Sequence, residues 1–267
     1  MDIPLDLAHT DKPRQIQANL IAYMRLFAGL PNVTMLDADC YWFISHKPAP
    51  GNIILRANWQ PNETDANIDA LFTQIGQHLD NIDWFVFPHD QPTDLGTRLE
   101  ARGMIGGRGG NWLWIDLARL GDQPAMSPKF RIEQVRDDAQ LAAWTHLSEL
   151  GFGGELSIFY DAYARHGYGS DAYSLHYIGY LDDTPVTTGT LLDAGGTATI
   201  YDLSTPPNFR GQGFGGALTY ALMREIRDRG YADTWIWASN MAKSLYESLG
   251  YVDADFGLRE YAWHKQR

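Results

Sequence analysis

Apolar residues recur from Lys12 to Ala28 at Ile16, Leu20, Tyr23, Met24 and Phe27, close to the 3.6-residue helical period, and Gly29 and Pro31 end the pattern. Val33 to His46 and Gly51 to Trp59 read as two strands joined by a turn at Lys47-Pro48-Ala49-Pro50. Asp65 to Leu79 places Ile68, Leu71, Phe72 and Ile75 on one helical face. Trp84 to Phe87 is a short buried strand closed by Pro88, and Thr93 can cap a helix over Asp94 to Arg102 that stops at Gly103. Gly106-Gly107-Arg108-Gly109-Gly110 reads as a loop, and Trp112 to Leu117 as a further strand.

Gly121 to Lys129 is the most linker-like stretch, which divides the chain into domains at 1–122 and 129–267. After it come a strand (Arg131 to Val135) and two helices (Asp137 to Leu150 and Glu155 to His166). Leu175 to Leu181 and Val186 to Leu192 flank the hairpin turn at Asp182-Asp183-Thr184-Pro185, and Thr197 to Thr205 is the next strand. A glycine-rich turn opens a helix from Gly213 to Arg229; a strand (Thr234 to Ala238), a short helix (Met241 to Leu249) and a pair of strands around Gly257 complete the chain. This order predicts a mixed α+β architecture, with a largely antiparallel sheet flanked by helices.

The 267 residues are 45% hydrophobic, enough to build real cores, and a formal charge of −12 makes a nucleic-acid partner a poor fit. The same charge suits a cationic small molecule or a basic peptide terminus. Cys40 is the only cysteine, so an intramolecular disulfide and a multi-thiolate metal site are both excluded. It lies in an apolar strand-like run, as a buried structural thiol would. No metal ligand set is expected. The N-terminus shows no signal-peptide pattern and no apolar stretch is long enough to span a bilayer, so a cytoplasmic protein without a membrane partner is expected, monomeric or homodimeric.

One segment carries chemistry. From Leu203 to Leu218 a strand ends, Pro206 and Pro207 stop the ladder, and glycines at 211, 213, 215 and 216 open a helix at once. Glycines there remove side chains that would hold a phosphate off the backbone, and the free N–H groups of the first helical turn point at an anion. Arg210 can add charge neutralisation. A Rossmann fingerprint can be matched literally at Gly211, Gly213 and Gly216, yet the preceding strands read as antiparallel hairpins and no acid follows the next strand. No Walker A sequence is present.

Arg210-Gly211-Gln212-Gly213-Phe214-Gly215 resembles the Arg/Gln-x-x-Gly-x-Gly/Ala motif of the GNAT acetyltransferases. A second block, Asn240, Ala242 and Ser244-Leu245-Tyr246-Glu247-Ser248-Leu249-Gly250-Tyr251, is similar to that family's Asn-x-x-Ala-x-x-x-Tyr-x-x-x-Gly-Phe ending, with Tyr251 where Phe is usual. The resemblance covers about Phe130 to the C-terminus. It implies acetyl-CoA as cosubstrate, with the pyrophosphate on the amides of Gly211, Gln212, Gly213, Phe214, Gly215 and Gly216 beside Arg210. It further implies that the pantetheine arm lies along the backbone of Leu203 and Thr205, and that Asn240 contacts the cofactor. Tyr246 matches the tyrosine that protonates the departing thiolate. Asp202, on the strand leading to the turn, is the candidate general base, with Glu155, His166 and His176 as further candidates; His176 sits in an apolar strand, where a structural role fits better.

The implied reaction is acetyl transfer to a small-molecule primary amine. The alternatives are a peptide or protein amine, or a CoA-binding regulatory protein without turnover. Leu95 to Met104 also looks like the closing helix and turn of a GNAT unit. Residues 1–122 therefore resemble a degenerate second domain, which makes the expected fold a tandem GNAT. Gln60-Pro61-Asn62-Glu63-Thr64 stands where that half's cradle would be and holds no glycine, so no pyrophosphate site is expected there.

Overall fold

The computed structural model describes residues 4–45, 50–76, 79–169 and 172–264. After a short strand β1 (Leu5–Asp6), helix α1 (Lys12–Arg25) carries a proline in its first turn and buries Ile16, Leu20 and Met24. The run expected as one strand from Val33 is a hairpin, β2 (Val33–Asp37) and β3 (Cys40–Ser45), paired antiparallel. It breaks at Ala38-Asp39, where Asp37 is held by the guanidinium groups of Arg25 and Arg56. Lys47, Pro48 and Ala49 of the expected turn lie outside the described residues. Next come β4 (Asn52–Ala57), α2 (Thr64–Ile75), β5 (Asn81–Val86) and α3 (Leu95–Glu100). β6 (Ile105–Gly107) occupies part of the expected loop, and β7 (Asn111–Asp116) follows it. Gly106 allows that edge strand, because a Cβ there would lie 2.6 Å from the ring of Tyr261.

The second half contains β8 (Phe130–Gln134), α4 (Asp138–Phe152), α5 (Ser157–His166), β9 (Ser174–Leu181), β10 (Thr184–Ala194) and β11 (Thr197–Ser204). Then follow α6 (Phe214–Asp228), β12 (Asp233–Ala238), α7 (Lys243–Ser248), β13 (Val252–Asp255) and β14 (Arg259–His264). The expected second-half elements are present, with bounds shifted by no more than two residues.

Two compact units form, and they do not follow the halves of the chain. One comprises Asp6–Gly109 and the chain's end from Asp255; the other comprises Gly110–Ala254 with the chain's start. The first is built on a sheet of order β2-β3-β4-β5-β14-β6, in which β4 and β5 run parallel and the other pairs antiparallel. Its core gathers Ile54, Ile68, Leu71, Trp84 and Leu99. Cys40 is buried there, and burial pushes its thiol up to about 12, so it is a protonated packing residue. Helix α2 starts after Gln60-Pro61-Asn62-Glu63 and has Asp65 in its first turn, a carboxylate where an anion would have to sit.

The second unit has an antiparallel sheet β11-β10-β9-β8 and a separate antiparallel ladder in which β7 lies between β12 and β13. The strands expected as a pair around Gly257 are thus not partners: β13 pairs with β7, and β14 with β5 and β6. Each unit takes one strand from the other half of the sequence. Helix α6 buries Leu218, Leu222, Met223 and Ile226 against Leu191, Ile200, Leu113, Ile115 and Ile236. Full burial of such side chains stabilises by roughly 1.5–3 kcal/mol each. Alternation turns Tyr201, Trp235, Trp237 and Trp112 to the opposite face.

β11 and β12 belong to separate sheets but are tied near their starts. The Thr234 hydroxyl donates to the Ala198 carbonyl at 2.7 Å, and the Thr199 hydroxyl to the Trp235 carbonyl. Leu203, Ser204 and Thr205 at the end of β11 and Ser239 just after β12 line the candidate site.

Candidate functional site

Helix α6 begins at Gly213, an N-cap with φ +86°, and Gly211 has φ +74°. Side-chain-bearing residues rarely adopt such angles, which explains two of the four glycines. The first intrahelical bond is Ala217 N–H to the Gly213 carbonyl, at 2.9 Å. The N–H groups of Phe214, Gly215 and Gly216 therefore open the helix without intrahelical acceptors, and no acidic residue sits in that turn. A Cβ on Gly215 would approach Thr205 Oγ1 at 3.2 Å, and one on Gly216 would meet Leu245 at 3.3 Å. Phe214 is buried, its ring stacked on Phe130 with centroids 5.4 Å apart.

In front of this turn lies a cavity of about 540 Å³. Leu203, Ser204 and Thr205 line it from β11 and its exit; Arg210, Gly211, Gly213, Phe214, Gly215 and Gly216 from the turn; and Ser239, Ala242 and Leu245 from the approach to α7 and α7 itself. Exposed Phe152 and Met241 give it an apolar lip. The size and the mix of apolar walls with convergent amides suit an extended ligand with an anionic head. β11 is an edge strand of its sheet, so the backbone on its outer side is free of a ladder.

Arg210 braces the mouth. Its Nε donates to the Thr205 carbonyl at 2.9 Å and its Nη2 to the Gly151 carbonyl at 2.7 Å. The Thr205 hydroxyl lies 3.0 Å from that of Thr187. Gly151 was expected to end a helix, yet α4 runs through it to Phe152. Its missing side chain instead admits β11, since a Cβ there would lie 1.9 Å from Ser204 Oγ.

Asp202 follows from a bulge. Thr188 pairs with Ser204 and Thr190 with Tyr201, so β11 fits one extra residue into the ladder, and Asp202 has φ +52°. Simple alternation therefore fails here: Ile200 and Leu203, three apart, both pack on the α6 core. The Asp202 carboxylate is half-buried and accepts a 2.6 Å hydrogen bond from the Tyr163 hydroxyl. Tyr163 is fixed by edge contacts to Trp144 and Phe159 and by stacking on His176 at 3.9 Å. His176 lies with Nδ1 2.9 Å from the Thr190 hydroxyl, and burial pushes its pKa down to about 3, so it is neutral and structural.

Three further candidates stand apart from the cavity wall. Gln212 donates its amide to the Asn208 carbonyl at 3.2 Å. Tyr246 is 4% exposed in the core beneath α7, edge-on to Tyr251, and burial raises its hydroxyl above the ordinary range, which keeps it protonated. Asn240 is exposed and accepts from the Asn111 amide at 2.8 Å. Ser239 lines the cavity in its place. The quoted motif already contained this signal: counting three residues back from Ala242 or seven from Tyr246 lands on Ser239. Glu155 accepts from the Ser157 hydroxyl, and His166 packs edge-on to Tyr173; neither lines the cavity.

Among the described residues, no group of three or more His, Cys, Asp or Glu is placed to hold a metal ion. No helix among them is long and apolar enough to cross a membrane.

The family of FR47-like proteins matches residues 181–263. The [ribosomal protein bS18]-alanine N-acetyltransferase of Escherichia coli is 42% identical over 60 residues, which is 21% of this chain and 40% of that protein. The chain thus matches well under half the length of this curated relative. A GCN5-related N-acetyltransferase from Kribbella flavida superposes with a TM-score of 0.65 at 15% identity, over 94% of this chain and 96% of that one. A tandem GNAT protein from the clavulanic acid biosynthesis pathway does so with a TM-score of 0.58 at 14% identity, over 99% and 98%. The fold, a mixed α+β tandem, is the one these two structures share.

Proposed function

We infer that this chain, a GNAT protein by fold and by its C-terminal motifs, transfers an acetyl group from acetyl-coenzyme A to the primary amine of a small molecule by direct attack in a ternary complex. The observation that carries the reading is the glycine turn at the start of α6, set beside an unladdered edge of β11 in one cavity. In this reading the amides of Phe214, Gly215 and Gly216 hold the diphosphate, helped by the helix dipole. Arg210 braces the loop and adds positive charge. The outer backbone of Leu203 to Thr205 holds the pantetheine arm, as an added strand would. Ser239 and the apolar lip complete the cofactor wall.

Asp202 accepts the proton that the ammonium must lose. The freed nitrogen attacks the thioester carbonyl, the new C–N bond forms and the C–S bond breaks. The thiolate takes up a proton as it leaves; Tyr246, kept protonated by burial behind the cavity wall, acts as its donor once α7 shifts to bring the hydroxyl to the cofactor. Positioning both substrates together supplies much of the remaining acceleration.

A second reading, acetylation of a protein N-terminus, is favoured by the name of the bS18-alanine relative. That match spans 60 residues, so the acceptor has to be argued from the site itself. The test measures CoA affinity by calorimetry, then acceptor-dependent release of free thiol from acetyl-CoA across small amines and short peptides. Release with small amines supports the first reading, and release with peptides alone supports the second. CoA binding without acceptor-dependent release from any of them would overturn both.

A further inference from the structure

Helix α4 ends at the cavity, and it ends without a cation of its own. The last carbonyls of a helix have no intrahelical N–H to accept from, and α4 has no basic residue in its last turn. Its C-cap, Gly153, turns left-handed at φ +77° and donates its N–H to the Glu149 carbonyl at 2.8 Å. The Gly151 carbonyl takes its donor from another element: Arg210 Nη2, 59 residues away in sequence, at 2.7 Å. A guanidinium is a favoured partner there, because the carbonyl end of a helix carries the negative pole of its dipole.

The exit of β11 has a matching need. Pro206 and Pro207 carry no N–H, so the ladder cannot continue past Thr205. A short 3₁₀ turn over Pro207–Phe209 sends the chain back, and Arg210 Nε reaches the Thr205 carbonyl at 2.9 Å. Ser204 is fastened separately: its hydroxyl donates to the Ser148 carbonyl of α4 at 3.4 Å, and its carbonyl accepts from the Thr187 hydroxyl at 2.9 Å. The third guanidinium nitrogen, Nη1, lies 3.8 Å from Met241 Sδ. One side chain thus joins the end of α4, the exit of β11 and the approach to α7, and Gly151, Thr205 and Met241 all line the cavity. The N–H groups that open α6 without intrahelical acceptors belong to Phe214, Gly215 and Gly216.

We propose that Arg210 is a positioning residue of the cofactor site rather than a ligand of the diphosphate. The proposal rests on the acetyl-transfer reading and changes the part that the motif arginine plays in it. Two of its nitrogens are committed to carbonyls, so its positive charge is a lesser contribution than the planar fork that spans them. Holding the Gly151 carbonyl fixes the next residue, Phe152, on the cavity lip. Holding the Thr205 carbonyl fixes the backbone along which the pantetheine arm lies in that reading. A lysine keeps the charge but offers one nitrogen, which cannot replace two donors at a fixed separation. The shape of the cavity mouth therefore depends on the guanidinium, while anion binding stays with the helix amides.

The test compares the full chain carrying Arg210→Lys or Arg210→Gln with the wild type, using CoA as the probe. Calorimetric titration should show both variants weakened by roughly fivefold or more, and equal to each other within about twofold. A phosphate ligand would behave otherwise: a point charge serves a phosphate well, so Arg210→Lys would keep most of the affinity. A role in fold stability alone would leave CoA affinity at the wild-type value in both. The dependence of CoA affinity on salt should have the same slope in all three proteins, whereas a charge acting on the diphosphate would flatten it in Arg210→Gln alone. Hydrogen exchange without ligand reads the brace directly. Residues 149–153 and 203–205 should exchange faster in both variants, with residues 224–229, at the far end of α6, at the wild-type rate. The proposal is overturned by CoA affinity in Arg210→Lys nearer to wild type than to Arg210→Gln, by no loss in either variant, by a slope flattened in Arg210→Gln alone, or by unchanged exchange in both segments. The two inferences fail separately. Faster local exchange in the variants with no CoA binding by any of the three proteins sinks the acetyl-transfer reading and leaves the brace; CoA binding preserved in Arg210→Lys sinks the brace alone.

Discussion

Gly213→Ala gives the sharpest test of the cofactor cradle. Gly213 holds φ +86° as the N-cap of α6. An added Cβ would lie 3.4 Å from Met126 Sδ, an ordinary contact, so the penalty is conformational rather than steric. A left-handed backbone costs an L-residue roughly 1–2 kcal/mol. That strain has two outlets. If the loop keeps its shape, the folded state loses the full amount, and the melting temperature falls by roughly 2–8 °C for a domain of this size. If the loop relaxes, the amides no longer converge and CoA affinity drops by about 5- to 30-fold. Gly230→Ala is the control. It has φ +95°, nothing within 4 Å of a Cβ, and it lies at the far end of α6. It should lower the melting temperature by a similar amount and leave CoA affinity unchanged. Calorimetric titration with CoA and thermal melts of both variants decide the matter. If Gly213→Ala leaves both quantities at wild-type values, or if Gly230→Ala lowers CoA affinity as much as Gly213→Ala does, the reasoning is wrong.

Other outcomes follow from the same geometry. Asp202→Asn keeps an acceptor for the Tyr163 hydroxyl but no base, so kcat/KM should fall about 100-fold or more while CoA affinity stays within about twofold; unchanged kcat/KM removes the base role. Tyr246→Phe should lower kcat about 10- to 100-fold with little change in CoA affinity, measured by thiol release and titration; an unaltered kcat would reassign the residue to packing. His176 titrates at 6.5 when unfolded but at about 3 when folded, because burial disfavours its cation. Its contribution is therefore complete above pH 6.5 and is lost as pH falls toward 3, a loss on the order of 1 kcal/mol by pH 5.5. Urea melts at pH 7.5 and 5.5 should show His176→Gln with an acid-side loss smaller by about that amount, and equal losses in the two proteins would refute it.

The glycine turn before α6 was legible in the sequence because glycines in a turn are a local signal, answering here to a φ angle or a close approach at their own positions. Helices α1, α2, α4 and α6 were legible for the same reason, their apolar period being written within each segment. The face of Asp202 was not. Alternation assumes an unbroken ladder, and the extra residue at the bulge arises from pairing with Thr188 and Thr190, on a different strand. The β2–β3 hairpin was hidden by an apolar run with neither Gly nor Pro at its bend, where only Asp37 and Asp39 mark the break. Asn240 was a matter of register, since one position in spacing separates it from the cavity-lining Ser239. Tyr163, which fixes Asp202, lies 39 residues away in sequence and has no local mark of its role. The places of β7 and β14 were beyond reach, because no periodicity within a strand names its partner.

Those two strands bear on what each half of the sequence needs from the other. β7, encoded before the Gly121 to Lys129 stretch, is the middle strand between β12 and β13, and β14, at the chain's end, lies between β5 and β6. Each half of the sequence is thus a lender of backbone to the other. A recombination event that carried off residues 129–267 would leave β12 and β13 with no strand between them, and Trp237 without the ring on which it stacks. The first half cannot be deleted without the β12, β7, β13 ladder losing its central strand. The loan of a strand in each direction ties the folding of either half to the presence of the other.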